Sequence, residues 1–141
     1  ACGCGLGGLV MTDNRRDEIL ARSDIGDYDV VIHVPEFKIK KTGLPLDRLH
    51  EVAPRIQEAI DIAMTDPFKA MTMNGRIISE ASGVDNTLAE RAMGMGALGA
   101  GMSGSGPAVA IVVAKGDGES FAKDLGIVPE ELILTRTRCG E

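Results

Sequence analysis

Aromatic side chains are scarce in this sequence: there is no tryptophan, one tyrosine and three phenylalanines. So few rings leave little platform on which to stack nucleic-acid bases. Excess positive charge is missing as well. The 15 Lys and Arg stand against 21 Asp and Glu, a net charge of −6. An acidic surface argues against non-specific binding to a phosphate backbone. No apolar run approaches the roughly 18 residues that a membrane-spanning helix needs. A signal-peptide pattern is absent, and three cysteines are an odd number for a disulfide framework. These absences lead us to expect a soluble protein of a reducing, cytoplasmic compartment, with no nucleic-acid or membrane partner. Cys2 and Cys4 form a C-x-C pair, but no second pair follows and the histidines are His33 and His50 alone. We therefore expect no metal site there.

Glycine, by contrast, is abundant: 18 of 141 residues, roughly double the usual share. Six of the 18 fall between positions 94 and 106. Residues 99–107 read GAGMSGSGP, and we expect a loop there, between a helical pattern ending near Met95 and a strand from Ala108. Such a loop could aim backbone N–H groups and hydroxyls at an anion. It is not a Walker A loop, since no Gly-Lys-Ser/Thr follows. It is not a dinucleotide fingerprint either, because a strand follows where that motif needs a helix. On spacing alone, a tight structural turn and a phosphate contact stay equally open.

The rest of the chain reads as one α+β domain over residues 1–141. The sequence opens in the middle of a patterned segment, as though cut from a longer polypeptide. Residues 6–12 form an expected strand, 12–16 a turn, and 17–21 either a short strand or a helical turn. Residues 28–34 make a β-branched strand stopped by Pro35, with His33 as a packed or edge residue. Residues 38–41 alternate as an exposed arm. Leu49, Val52, Ala53, Ile56, Ile60, Ala63 and Met64 draw one apolar stripe, which Pro54 divides into a short helix and a longer one. Asp66 caps the next helix, with Pro67 at its first position. That helix ends near Gly83 and turns Phe68, Met71, Gly75 and Ile78 to the core. Thr87 and Glu90 fit a capping box for a short helix. A brief helix starts at residues 117–120 and stops at Gly126. Residues 132–138 alternate as the last strand, with Arg136 and Arg138 on the face of Leu132 and Leu134. The sum is a mostly antiparallel sheet with helices on one face. Asp13, Asp24, Asp27, Asp29, Asp85 and Asp117 sit near turns, where they read as caps and turn formers. No Ser/His/Asp order and no paired carboxylates supply a catalytic machine.

Residues 99–107 also resemble the third motif of the GHMP small-molecule kinases. The likeness narrows to the archaeal-type shikimate kinases on three further segments in that branch's order: 7–14 (GGLVMTDN), 70–75 (AMTMNG) and 132–138 (LILTRTR). The resemblance implies the ferredoxin-like C-terminal domain of a kinase about twice this length, which moves the ATP γ-phosphoryl to a hydroxyl of shikimate with Mg²⁺. It implies that the ATP-phosphate loop belongs to a missing N-terminal half, and that the acidic base falls just before Ala1, so no catalytic residue is expected here. It points to Gly101, Met102, Ser103, Gly104, Ser105 and Gly106 as residues that support the phosphate loop or line the acceptor side. Ser103 and Ser105 either hydrogen-bond substrate or brace the absent loop. Asn14, Arg15 and Arg76 are candidate acceptor contacts, since a carboxylate wants a guanidinium partner. Two alternatives are a stand-alone ligand-binding or regulatory module, and a kinase for homoserine or mevalonate. Loss of a partner half should also expose apolar surface around residues 3–10 and the glycine loop, and so favour self-association.

Overall fold

The computed structural model describes residues 7–37, 45–104 and 106–138. The exposed arm expected at 38–41 and all three cysteines lie outside them. The chain begins with an antiparallel ribbon, β1 (Leu9–Asp13) and β2 (Glu18–Ser23). The open choice at residues 17–21 therefore resolves to a strand, after a turn in which Asp17 takes φ 56°. β3 (Tyr28–His33) follows, and then four helices: α1 (Leu46–Glu51), α2 (Ala53–Ile62), α3 (Pro67–Ser82) and α4 (Thr87–Gly94). β4 (Gly99–Met102), β5 (Val109–Ala114), α5 (Gly118–Asp124), a 3₁₀ turn (Pro129–Glu131) and β6 (Leu132–Arg136) complete it.

β3 to β6 form one sheet in the order β4-β5-β3-β6, every neighbouring pair antiparallel. Each crossover returns to a strand two places away with one strand between, which is the split β-α-β arrangement of a ferredoxin-like fold. One row crosses the whole sheet: Ala100, Ile111, Val31 and Leu134 are successive cross-strand partners. Val31 and Ile111 at its centre are fully buried. They meet Ala89 and Ala92 of α4, Ala122 of α5 and Leu125 just past its end, with Ala97 and Val113, in the main core.

α3 approaches from the other side. Alternation along β4 turns Gly99 and Gly101 away from the face of Ala100, and a Cβ on either would strike the α3 backbone. Phe68 of α3 meets Tyr28 of β3 edge to face, ring centroids 4.8 Å apart. Helices therefore lie on both sides of the sheet rather than one.

The stops read from the sequence hold: Asp66 Oδ1 accepts the Lys69 N–H at 3.1 Å, and Gly83 closes α3 at φ 74°. The capping box does not form. Asp85 Oδ1 takes the Thr87 N–H at 2.9 Å, while Glu90 is drawn to Arg76 and Asn86. The buried face of α3 is Ala70, Thr72, Gly75, Ile77 and Ala81. Phe68, Met71 and Ile78 are half-buried, because small residues are what allow α3 to seat directly on the β4 backbone. On α2 only Ala59 is buried, and Ile60 keeps 43% of its surface exposed. The exposed apolar residues also include Ile19 and Leu20 of β2, Leu46, Ile133 and Leu134. Of the 3–10 stretch only residues from Gly7 onward are described, with Leu9 and Val10 half-buried, while Met95 and Leu98, just before the glycine-rich stretch, are exposed.

Candidate functional site

The glycine-rich stretch is a β-hairpin rather than a long loop. Gly99, Ala100, Gly101 and Met102 are all buried as β4 and pair with β5. The spacing of two glycines around an alanine has a steric cause: a Cβ on Gly99 would lie 2.8 Å from the Phe68 carbonyl oxygen, and one on Gly101 would lie 2.6 Å from that of Met71. Gly75 answers from the helix, where a Cβ would lie 2.9 Å from the Gly101 Cα. Three glycines thus bring helix and strand backbones into contact.

Beyond β4 the chain turns over. The Ser103 N–H donates to the Ala108 carbonyl at 2.8 Å, and the Gly106 N–H donates to Ser103 at 3.3 Å. Gly104 and Gly106 take φ 65° and 76°, and the Gly106-Pro107 bond is cis. Ser103 and Gly104 are exposed at the tip, while Gly101 and Met102 are buried below it. Ser105 lies outside the described residues.

A cavity of about 380 Å³ is lined by Pro107 and Val109, by His33, the cross-strand partner of Val109, and by Asp85 and Leu88. His33 Nε2 is 2.8 Å from Glu131 Oε2, so its ring is tied to the turn before β6. A more open groove of about 580 Å³ shares Gly83, Val84 and Asp85 with that cavity and reaches Arg76, Asn86 and Glu90. Asp85 is held below its ordinary carboxylate value by the Thr87 hydroxyl and N–H. It stays charged and fills the N-terminus of α4 itself. The Asn86 Oδ1 atom is buried without a partner.

The structure divides the candidate acceptor contacts. Arg76 follows Gly75 on α3, so it is on the helix that grips the hairpin. Its guanidinium is engaged by Glu90, with Nε and Nη2 donating at 2.7 and 2.9 Å. That pairing raises the Arg76 pKa and lowers that of Glu90. Asn14 and Arg15 are exposed in the β1–β2 turn, where Asn14 accepts from Thr12 and the Arg15 N–H donates to Asp13. Among the described residues, the ribbon's extensive contacts are within itself. The hydrogen bonds described for Asn14 and Arg15 stay within that ribbon. No group of three or more His, Cys, Asp or Glu positioned to hold a metal occurs among the described residues.

Two residues make contacts that the sequence did not specify. Thr72 is buried inside α3, where its hydroxyl accepts the Ala100 N–H at 3.1 Å. Its sequence signal was its place in the 70–75 segment, three residues before Gly75. Asp29 reads as a turn carboxylate but stands in β3, where it accepts from the N–H groups of Gly116 and Gly118 and from Arg136. Its role, holding the turn into α5, is the capping role expected of it.

No family model matches the chain. Curated relatives do. The shikimate kinase of Pyrococcus furiosus is 32% identical over 140 residues, which is 98% of this chain and 50% of that protein. That of Methanosarcina acetivorans is 34% identical over 114 residues, 80% of this chain and 38% of that protein. The chain is homologous to part of the archaeal shikimate kinases. It spans half or less of the length of these relatives. Solved structures agree on the fold: a mevalonate kinase superposes with a TM-score of 0.64 at 18% identity, covering 99% of this chain and 49% of that one. A homoserine kinase from Cytophaga hutchinsonii gives 0.59 at 15% identity, covering 99% and 50%. The described fold is thus that of a GHMP kinase C-terminal domain. Among the described residues, no helix is long and apolar enough to cross a membrane.

Proposed function

We propose that this chain is the C-terminal half of a cytoplasmic ATP-dependent kinase that transfers the γ-phosphoryl group to a hydroxyl of shikimate. The observation that carries this reading is the alignment with an archaeal shikimate kinase along 98% of the chain. Phosphoryl transfer needs little covalent chemistry from the protein and depends on positioning and charge stabilisation. On this reading the ATP-phosphate loop and the base come from the other half. Ser103, Gly104 and Gly106 present the hairpin tip to the acceptor and to that loop, while Gly101 and Met102 hold the tip from below. Ser103 offers a hydroxyl to either neighbour.

On this reading Mg²⁺ arrives with the nucleotide and neutralises phosphate charge, which asks for as few as one or two protein carboxylates. Arg76 then meets the acceptor carboxylate by exchanging Glu90 for it, and Asn14 and Arg15 are further acceptor contacts offered by the β1–β2 turn.

The test supplies this chain with the N-terminal part of the Pyrococcus furiosus shikimate kinase, fused or in trans, and follows ADP release. Shikimate-dependent release is expected. Turnover of homoserine or mevalonate with shikimate ignored would overturn the substrate assignment. Tight ATP binding to this chain alone, measured by calorimetry, would sink the half-kinase picture and favour a stand-alone binding module.

A further inference from the structure

We propose that Thr72 is a positioning residue for the glycine-rich hairpin: its hydroxyl fixes β4 against α3, and so sets where the tip stands. The catalytic consequence rests on the function proposed above, while the structural part stands alone.

A threonine that donates to the carbonyl four residues back is common in helices, and Thr72 does so to Phe68 at 2.9 Å. The unusual part is the other side of the same oxygen. It accepts the buried Ala100 N–H at 3.1 Å, across 28 residues of sequence. β4 is an edge strand, so an N–H turned away from β5 has no strand to meet and must find another acceptor or stay unsatisfied. Thr72 supplies it. Because the one hydroxyl hydrogen is committed to Phe68, the lone pairs are directed at the strand.

Steric contacts set the same seat. Gly99 abuts the Phe68 carbonyl, Gly101 the Met71 carbonyl, and Gly75 the Gly101 Cα. The glycines permit the approach but do not fix the register, since backbones in bare contact can slide. A single directed hydrogen bond, three residues before Ser103, does. Met93 Sδ of α4 lies 3.8 Å from the same hydroxyl, so the helix that carries Glu90, the partner of Arg76, converges on this point too.

Two variants test this. Thr72→Val keeps the shape and removes the acceptor, and Thr72→Ser keeps the acceptor and removes a methyl. In the 141-residue chain, exchange of the Ala100 amide should quicken by at least about tenfold in Thr72→Val and stay near wild type in Thr72→Ser. In the assembled kinase, Thr72→Val should lose about tenfold in kcat with both KM values within about twofold, and Thr72→Ser should restore kcat. Unchanged Ala100 exchange in a folded Thr72→Val protein overturns the proposal. So does a Thr72→Ser variant with fast Ala100 exchange, which decides the matter even where Thr72→Val does not fold. Altered exchange with wild-type kcat overturns the catalytic consequence. A wild-type assembly that ignores shikimate refutes the proposed function and leaves the exchange result to judge the hydrogen bond.

Discussion

Replacing Gly101 with alanine is the sharpest test of how the hairpin is held. The new Cβ would sit 2.6 Å from the Met71 carbonyl oxygen and 3.4 Å from its carbon. A relaxed carbon-to-oxygen contact is closer to 3.3 Å, so helix and strand must part by about 0.7 Å, in a region where overpacking costs about 1–3 kcal/mol. The Gly101 φ is not in the left-handed region, so alanine meets no conformational penalty there and gains about 0.5–1 kcal/mol from a stiffer unfolded chain. The clash should win, because the opposing atom is backbone and cannot swing aside. We expect a net loss of about 1–2 kcal/mol, or roughly 3–8 °C in Tm for a chain of this size. Urea titration of the purified chain reads it directly, with two controls. Gly104→Ala, at φ 65° and with nothing within 4 Å, should cost about 1 kcal/mol from conformation alone. Gly94→Ala, with no positive φ and nothing within 4 Å, should be neutral or stabilising by up to about 1 kcal/mol. A Gly101→Ala protein as stable as wild type would refute the close seating of β4 on α3.

Two electrostatic predictions accompany it. The Asp29 carboxyl is held below its ordinary value of 3.8 by the Gly118 N–H first, then by Gly116 and Arg136, against the opposing effect of burial. With the folded pKa below the unfolded one, its contribution to stability is complete above about pH 5 and is lost as pH falls through the depressed value. Asp29→Asn should therefore cost stability at pH 6 and less at pH 3; an equal cost at both pH values, by urea midpoint, would refute it. The Arg76–Glu90 pair is about half exposed, 54% and 45%, so Arg76→Met should cost less than about 1 kcal/mol. That difference should shrink in 1 M salt, and a salt-independent loss above about 2 kcal/mol would mean that the pair is not a solvated one.

Strands and helices made by side-chain pattern were legible. The β-branched run of β3, the Asp66-Pro67 start of α3 and the Pro54 break between α1 and α2 each carry a local cause in their own residues. β4 was not legible, because its cause is not local. Gly-Ala-Gly has little strand propensity, and these residues are a strand only because β5 pairs with them and α3 covers them. The capping box failed for a related reason: Glu90 suits the role by spacing, yet Arg76, fourteen residues away on another helix, takes its carboxylate. Of the candidate site residues the sequence showed a continuous stretch and not its geometry. The stretch that holds Ser103 and Gly104 is at an exposed tip as a contact surface requires, whereas Gly101 and Met102, read as part of the same surface, are the buried stem beneath it.

The strand order has a consequence for how the chain is made. β3 is the first strand of the four-stranded sheet to be synthesised, yet it lies inside that sheet, between β5 and β6. Val31 cannot meet Ile111 until some eighty more residues have left the ribosome, a wait of about 4–16 s at a synthesis rate of about 5–20 residues per second. Through that interval a β-branched segment has both pairing edges open, the condition under which nascent chains aggregate. Closing so long a loop also makes the central pairing slow to nucleate. Expression yield should therefore respond to translation speed between β3 and β5 more than to substitutions on the solvent face.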